Sequence, residues 1–101
     1  MSKLPTIHIN SESEEQDYLR NYKTQLHIKI MDTVEFAYHN DVDSIEVVKV
    51  INNFRGVTFV LCVTKDNWED SLNKSLDHFL EEEEYELCDK VHKILKKISD
   101  E

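Results

Sequence analysis

The sequence predicts an α+β fold, with a small antiparallel sheet of about three strands packed by an N-terminal helix and a C-terminal helical pair. Two β-branched runs flank the single glycine of the chain, which is typical of a β-hairpin. After residue 66, apolar residues recur at helical spacing. The length of 101 residues is that of one domain, so we expect residues 1–101 to form a single unit, with residues 1–10 as an edge strand or a flexible tail.

The N-terminal region predicts a short strand and then a helix. Ile7 and Ile9 alternate with polar residues in TIHIN, as in an edge strand. Ser11 precedes Glu14 by three residues, which is the spacing of a capping box, so we expect a helix over about residues 12 to 23. We interpret its first acids as complements to the helix N-terminus rather than as a binding surface; they are Glu12, Glu14, Glu15 and Asp17.

Residues 24–40 carry two periodicities. Residues alternate as in a strand, with a slip or turn at Asp32 and Thr33 between two sets: Leu26, Ile28 and Ile30, then Val34, Phe36 and Tyr38. An overlapping set has helical spacing and would give one long helix over residues 12–39: Leu19, Tyr22, Leu26, Ile30, Val34 and Ala37. The density of β-branched and aromatic residues after Thr24 favours the strand, and the helix remains the alternative.

A hairpin is predicted over residues 45–64. The runs 45–51 and 57–64 flank NNFRG, where Gly56 can adopt the positive φ of a tight turn. The second run is apolar on both faces, since Val57, Phe59, Leu61 and Val63 alternate with Val60 and Cys62. We therefore expect this strand in the middle of the sheet, covered on both sides.

The C-terminal third predicts two helical stripes. The first comprises Trp68, Leu72, Leu76, Phe79 and Leu80, and the second comprises Leu87, Val91, Ile94 and Ile98. One straight helix would bring Glu83 or Glu84 into the apolar seam, where an unpaired carboxylate is costly. We therefore expect either a break at residues 81–84 or a long helix with a solvated middle. In both cases the glutamates stay in water.

The negative charge is localised. Of the net charge of −9, residues 66–89 contribute ten acids and one base, while residues 90–101 hold two acids and four bases. This sign disfavours direct binding of nucleic acid and of anionic membranes, and favours a basic protein partner. With no apolar run of about 20 residues and no signal peptide, we expect a cytoplasmic protein with two reduced cysteines, Cys62 and Cys88.

The candidate partner-binding site is the set of acids between residues 69 and 89. Its members are Glu69, Asp70, Asp77, Glu81, Glu82, Glu83, Glu84, Glu86 and Asp89. On a continuous helix the eight acids of residues 69–86 would span about 27 Å, or about 3.4 Å per charge, which is close to the phosphate spacing along one strand of B-DNA. The site would then present carboxylates where DNA presents phosphates.

In size, acidity and the concentrated carboxylates of LEEEEYELCD, the chain resembles the small acidic DNA-mimic inhibitors that phages use against host DNA-binding proteins. The resemblance implies competition with DNA for a basic target such as the histone-like nucleoid protein HU, a restriction factor or the transcription machinery. The basic segment KVHKILKK departs from a uniformly acidic mimic.

Other classes of function have weaker signals. The pairs Cys88 with His92 and His78 with Glu82 have i, i+4 spacing, but the chain has no CxxC, HExxH or phosphate-binding glycine motif. We therefore expect no metal, no cofactor and no enzymatic activity. The alternative function is an adaptor, subunit or immunity-type module that docks through an apolar surface, with Tyr85 and Phe54 as candidate anchors.

Overall fold

Four helices and a three-stranded sheet make up the computed structural model, which describes residues 4–100. The elements in chain order are β1 (Thr6–Ile9), α1 (Glu12–Asn21), α2 (Lys23–Asn40), β2 (Ser44–Asn52), β3 (Val57–Thr64), α3 (Trp68–Glu81) and α4 (Tyr85–Ser99), with a 3-10 turn at Lys65–Asn67. The predicted α+β class, the three strands, the N-terminal helix and the C-terminal helical pair are confirmed.

The sheet has the order β1-β2-β3 and is mixed rather than wholly antiparallel. β1 runs parallel to β2 with Thr6 opposite Lys49, while β2 and β3 are antiparallel with Lys49 opposite Val60. α1 and α2 form the crossover that a parallel pair requires. A register shift between Glu46 and Val48 marks a bulge in β2. The predicted hairpin is confirmed, with Gly56 at a φ of 68°.

The strand expected within residues 24–40 is wrong, because this segment is helix α2. The helical set decides the outcome: α2 buries Ile30, Met31, Val34 and Ala37, whereas Phe36 of the alternating set is 56% exposed. Only Tyr22 separates α1 from α2, so the alternative of one long helix is nearly realised, with a junction at that residue. The third strand is instead Thr6–Ile9, which confirms the edge-strand interpretation of TIHIN.

The central position expected for residues 57–64 is also wrong, because β2 is the central strand and β3 lies at an edge. Val63 is buried, but the four residues from Val57 to Val60 are all exposed. One face of the sheet is covered by α2 and α3, and the other face, which carries Thr6, His8 and Thr58, is open to solvent. Val60 points to this open face, whereas Val57 and Phe59 are on the same side of β3 as Val63 but are exposed as well.

The core lies between the inner face of the sheet and the helices. α2 and α3 pack against strands, and α4 packs on α2 and α3. The largest fully buried side chains are Phe79, Met31, Leu72, Val34, Val47, Val63 and Val91. α1 contributes no buried residue. Its predicted N-cap is present, since the Glu14 N–H donates to Ser11 Oγ at 3.2 Å, but the Glu14 carboxylate accepts from the Asn10 N–H at 2.8 Å and not from the Ser11 N–H of a full capping box.

α3 and α4 form an antiparallel hairpin. α3 ends at Glu81 and α4 begins at Tyr85, so the predicted break is confirmed and falls at residues 82–84. Trp68 at the start of α3 and Ile98 near the end of α4 line the same small cavity, which shows that the helices run in opposite directions. Within residues 4–100, no helix has both the length and the apolar character to cross a membrane.

Candidate functional site

The closed end of the α3–α4 hairpin gathers seven of the nine predicted site residues. These residues, which we call the acidic turn, are Asp77, Glu81, Glu82, Glu83, Glu84, Glu86 and Asp89, and all of them are exposed. Asp77 lies one turn before the end of α3, and Asp89 lies in the second turn of α4. The short connection forces the two helices back on each other, so the acids surround a turn and project in several directions.

Backbone hydrogen bonds of a Schellman type close α3. The Glu84 N–H donates to the Phe79 carbonyl at 2.8 Å, and the Glu83 N–H donates to the Leu80 carbonyl at 3.2 Å. Glu83 has a φ of 58°, in the left-handed region where glycine is usually found. A glutamate therefore occupies the position of the turn that is least suited to a side chain, and it adds a carboxylate there.

Few cations neutralise these acids. Asp89 pairs with Lys93 across one helical turn, at 3.0 Å between Oδ2 and Nζ. Across residues 4–100, no ion pair involves the other six members of the acidic turn. Asp77 and Glu81 even have the i, i+4 spacing at which like charges repel. The acidic turn is consequently a nearly uncompensated negative surface.

Glu69 and Asp70, the other two predicted site residues, do not join the acidic turn. Both are exposed in the first turn of α3, and Asp70 pairs with Lys74 at 3.1 Å. α3 has 14 residues, so its ends are about 20 Å apart at about 1.5 Å per residue. The continuous strip of about 27 Å that the sequence suggested is therefore replaced by one dense cluster and a separate pair.

Two large apolar side chains lie within the acidic turn. Leu80 is 48% exposed, although its spacing predicted a place in the buried stripe, and Tyr85 is 65% exposed. In the sequence, Tyr85 lies between two glutamates, and Leu80 lies between Phe79 and Glu81. Tyr85 is thus available as an anchor, as its sequence context suggested, and Leu80 is an exposed residue that helical periodicity alone missed. Phe54, the other candidate anchor, is exposed in the β2–β3 turn.

The basic segment of α4 lies toward the other end of the hairpin. Lys90, Lys93, Lys96 and Lys97 line an open groove between α2 and α4, with Met31 and Ile94 also in its lining. Asp32 and Glu35 of α2 and Asp100 line the same groove. Apart from the pair of Lys93 with Asp89, no ion pair within residues 4–100 joins the basic segment to the acidic turn.

A histidine pair lies where α2 packs on α3, beside the acidic turn. The rings of His27 and His78 stack with their centroids 4.8 Å apart. His27 Nδ1 lies 2.9 Å from Ser75 Oγ, and His78 Nε2 lies 2.7 Å from Thr24 Oγ1. Burial, together with the neighbouring His78 and Lys23, lowers the pKa of His27 to about 4. No local pattern predicts this pair, because its members are far apart in the sequence.

Glu15 of α1 bonds to the β2–β3 turn rather than only complementing the helix N-terminus. Glu15 accepts hydrogen bonds from Arg55 Nε at 2.6 Å, Arg55 Nη2 at 2.7 Å and Asn52 Nδ2 at 2.9 Å. These bonds lower the pKa of Glu15 to about 2. They attach α1 to the β2–β3 turn, so Glu15 does not extend the acidic surface.

Metal-binding geometry is not found in the part of the chain that the structure describes. No group of three His, Cys, Asp or Glu side chains among residues 4–100 is arranged to hold a metal ion. Cys88 is buried in α4 while His92 is exposed, so their i, i+4 spacing does not form a site.

No family model, curated protein sequence or solved structure matches this chain. A function must therefore be argued from the chemistry of its surfaces.

Proposed function

We propose that this protein is a non-enzymatic inhibitor that binds a basic DNA-binding protein and occupies the surface that would otherwise hold DNA. The observation that carries the proposal is the acidic turn, with seven exposed carboxylates at one end of a helical hairpin and an ion pair at only one of them in residues 4–100. We place this activity in the cytoplasm, and the nucleoid protein HU is the first target to test.

The mechanism rests on the shared chemistry of carboxylate and phosphate. Both are anions that accept charge-assisted hydrogen bonds from lysine and arginine. A basic surface that contacts a DNA backbone would meet oxygens of the same charge in the acidic turn, and the two ligands would compete for it. The net charge of −9 would also steer the protein toward a cationic partner.

Three features support an interface rather than a merely solvated helix end. Glu14 and Glu15 of α1 have partners in the fold, and Asp70 pairs with a lysine of its own helix, whereas six members of the acidic turn have no ion pair within residues 4–100. The glutamate at the left-handed position of Glu83 also opposes the backbone preference there. Tyr85 and Leu80 supply apolar area among the charges, which an aqueous surface does not require.

The test is displacement of labelled duplex DNA from HU by the purified protein over a series of salt concentrations. The parent should displace DNA, and its inhibition should weaken as salt rises, because attraction between exposed charges is screened over about 8 Å at physiological ionic strength. A variant with Glu81, Glu82, Glu83 and Glu84 replaced by glutamine should lose most of the inhibition. Its side chains keep their size, so the change isolates charge.

A matched control separates local charge from total charge. Replacing Asp17, Asp32 and Asp43 by asparagine and Glu46 by glutamine also removes four exposed carboxylates, all outside α3 and α4. Both variants have a net charge of −5, since four of the nine excess negative charges are removed. The control should inhibit nearly as well as the parent. Equal loss of inhibition in the two variants would show that total charge, and not the acidic turn, is responsible.

The exposed anchors support a second candidate function, a protein interaction module that docks through an apolar surface. Tyr85 and Phe54 are both exposed, as this function requires. It predicts binding that changes little with salt and is lost on replacing Tyr85 or Phe54 by alanine rather than on replacing the glutamates. The same salt series therefore distinguishes the two candidates once a partner is bound.

A further inference from the structure

β3 has the amino-acid sequence of an interior strand, although it lies at an edge of the sheet. Residues 56–64 contain no charged side chain, in a chain in which 33% of residues are charged. Val57, Phe59 and Val60 are large apolar residues that lie exposed, with Phe59 at 50%. Exposed edge strands usually carry a charge, a proline or a bulge that blocks pairing, and β3 has none of these.

The backbone of β3 presents free hydrogen-bonding groups to this edge. The Lys49 N–H donates to the Pro5 carbonyl, on the β1 side of β2, at 2.9 Å. The backbone N–H and C=O of Lys49 therefore point away from β3. Its partner Val60 likewise points its own backbone N–H and C=O away from β2. By the alternation of a strand, Thr58 and Cys62 do the same. At the end of β3 the equivalent N–H, that of Thr64, is already bonded to Asn67 Oδ1 at 2.9 Å.

We propose that β3 is completed by β3 of a second copy of this chain, which pairs with it antiparallel across a twofold axis. A second copy brings the same uncharged, apolar strand, so no acid faces an acid along the contact. The members of the acidic turn lie on α3, on α4 or between them, and none lies on β3. Two chains of charge −9 therefore meet through strands that carry no charge of their own. This contact does not depend on the proposed inhibitor function.

The open part of the edge determines the register. An axis at Phe59 pairs Thr58 of each copy with Val60 of the other, so both sets of outward backbone groups are satisfied. It brings the two Phe59 side chains opposite each other and joins the sheets into one of six strands. It also places Arg55 opposite Val63 of the second copy. An axis at Val60 would instead place Arg55 opposite Lys65, so that two positive charges would meet. Because the pairing is short, we expect it to bury less than about 1,200 Å², the lower end of the range for standard interfaces. The association should therefore be weak, with a dissociation constant of about 100 µM.

Sedimentation velocity between about 10 µM and about 1 mM, which spans that constant, tests the association. The parent should shift from monomer to dimer. Val60→Lys should remain monomeric, although the added positive charge reduces the repulsion between copies. The control Thr6→Lys adds the same charge to an exposed position on β1, at the other edge of the sheet, and should dimerise as the parent does.

Amide hydrogen exchange by NMR identifies the edge that is used. The Phe59 and Leu61 amides point toward β2 and should be protected at every concentration. The Thr58 and Val60 amides should become protected only as the dimer forms. A parent that stays monomeric at about 1 mM, ten times the expected constant, overturns the proposal. So does a dimer in which the Val60 amide exchanges as fast as in the monomer, because that dimer uses another surface.

Discussion

Replacing Glu83 by glycine should stabilise the protein although it removes a side chain. Glu83 is the residue after the C-cap of α3 and has a φ of 58°, where a Cβ is unfavourable and glycine is not. Glu83 also lies among six other carboxylates of the acidic turn, so its removal relieves repulsion between like charges. Both effects act in the same direction.

The magnitude follows from three contributions. A left-handed backbone costs an L-residue about 1 to 2 kcal/mol, which glycine avoids. Glycine loses about 0.4 to 1 kcal/mol of this gain through the greater freedom of the unfolded chain. Removal of one like charge adds about 0.2 to 0.5 kcal/mol. The net gain is about 1 kcal/mol, which corresponds to a rise in Tm of about 4 °C for a domain of this size.

The measurement is urea unfolding and thermal melting followed by circular dichroism, with Glu82→Gly as the matched control. Glu82 carries the same charge in the same turn, but its φ of −88° is ordinary for any residue. Glycine at Glu82 should therefore destabilise the protein by about 0.5 kcal/mol. If Glu83→Gly is no more stable than Glu82→Gly, the left-handed backbone has no bearing on stability and the reasoning is refuted.

Two further predictions concern the core and the histidine pair. Leu72→Ala, at a fully buried position of α3, should lower the free energy of unfolding by about 3 kcal/mol in urea melts, whereas Leu80→Ala, at an exposed position of the same helix, should change it by less than about 0.5 kcal/mol. The pKa of His27 is about 4 in the folded protein, lowered from 6.5, so the unfolded chain protonates His27 at a higher pH than the folded chain does. The contribution of His27 to the free energy of unfolding should therefore be constant above pH 6.5 and decline as the pH falls toward 4. In urea melts at several pH values, His27→Gln should flatten this decline and His92→Gln, at an exposed position, should not; equal profiles in the two variants would contradict the assignment to His27.

Local signals predicted the elements of the fold well where they agreed with one another. The hairpin around Gly56 and the break between α3 and α4 both follow from residues close in sequence. Residues 24–40 satisfied two periodicities, and burial of one face of α2 in the core selected the helix. The position of β3 in the sheet could not be deduced from its own residues, because it depends on where β1 pairs.

The candidate site was predictable in composition but not in shape. The exposure of the acids follows from the cost of burying a carboxylate. Their clustering required a turn of three residues, including a left-handed glutamate that no propensity favours. Likewise, His27 and His78 meet only because α2 packs on α3, so their contact has no signature in either segment.

The parallel pairing of β1 with β2 has a consequence for the order in which the chain folds. Thr6 pairs with Lys49, so the whole α1–α2 crossover must be closed before this strand gains a single bond. The β2–β3 and α3–α4 hairpins join neighbouring segments and can form early. β1 is then the last strand to join and the first to separate. Transient opening of the native protein should begin at the N-terminus, with the hairpins still intact.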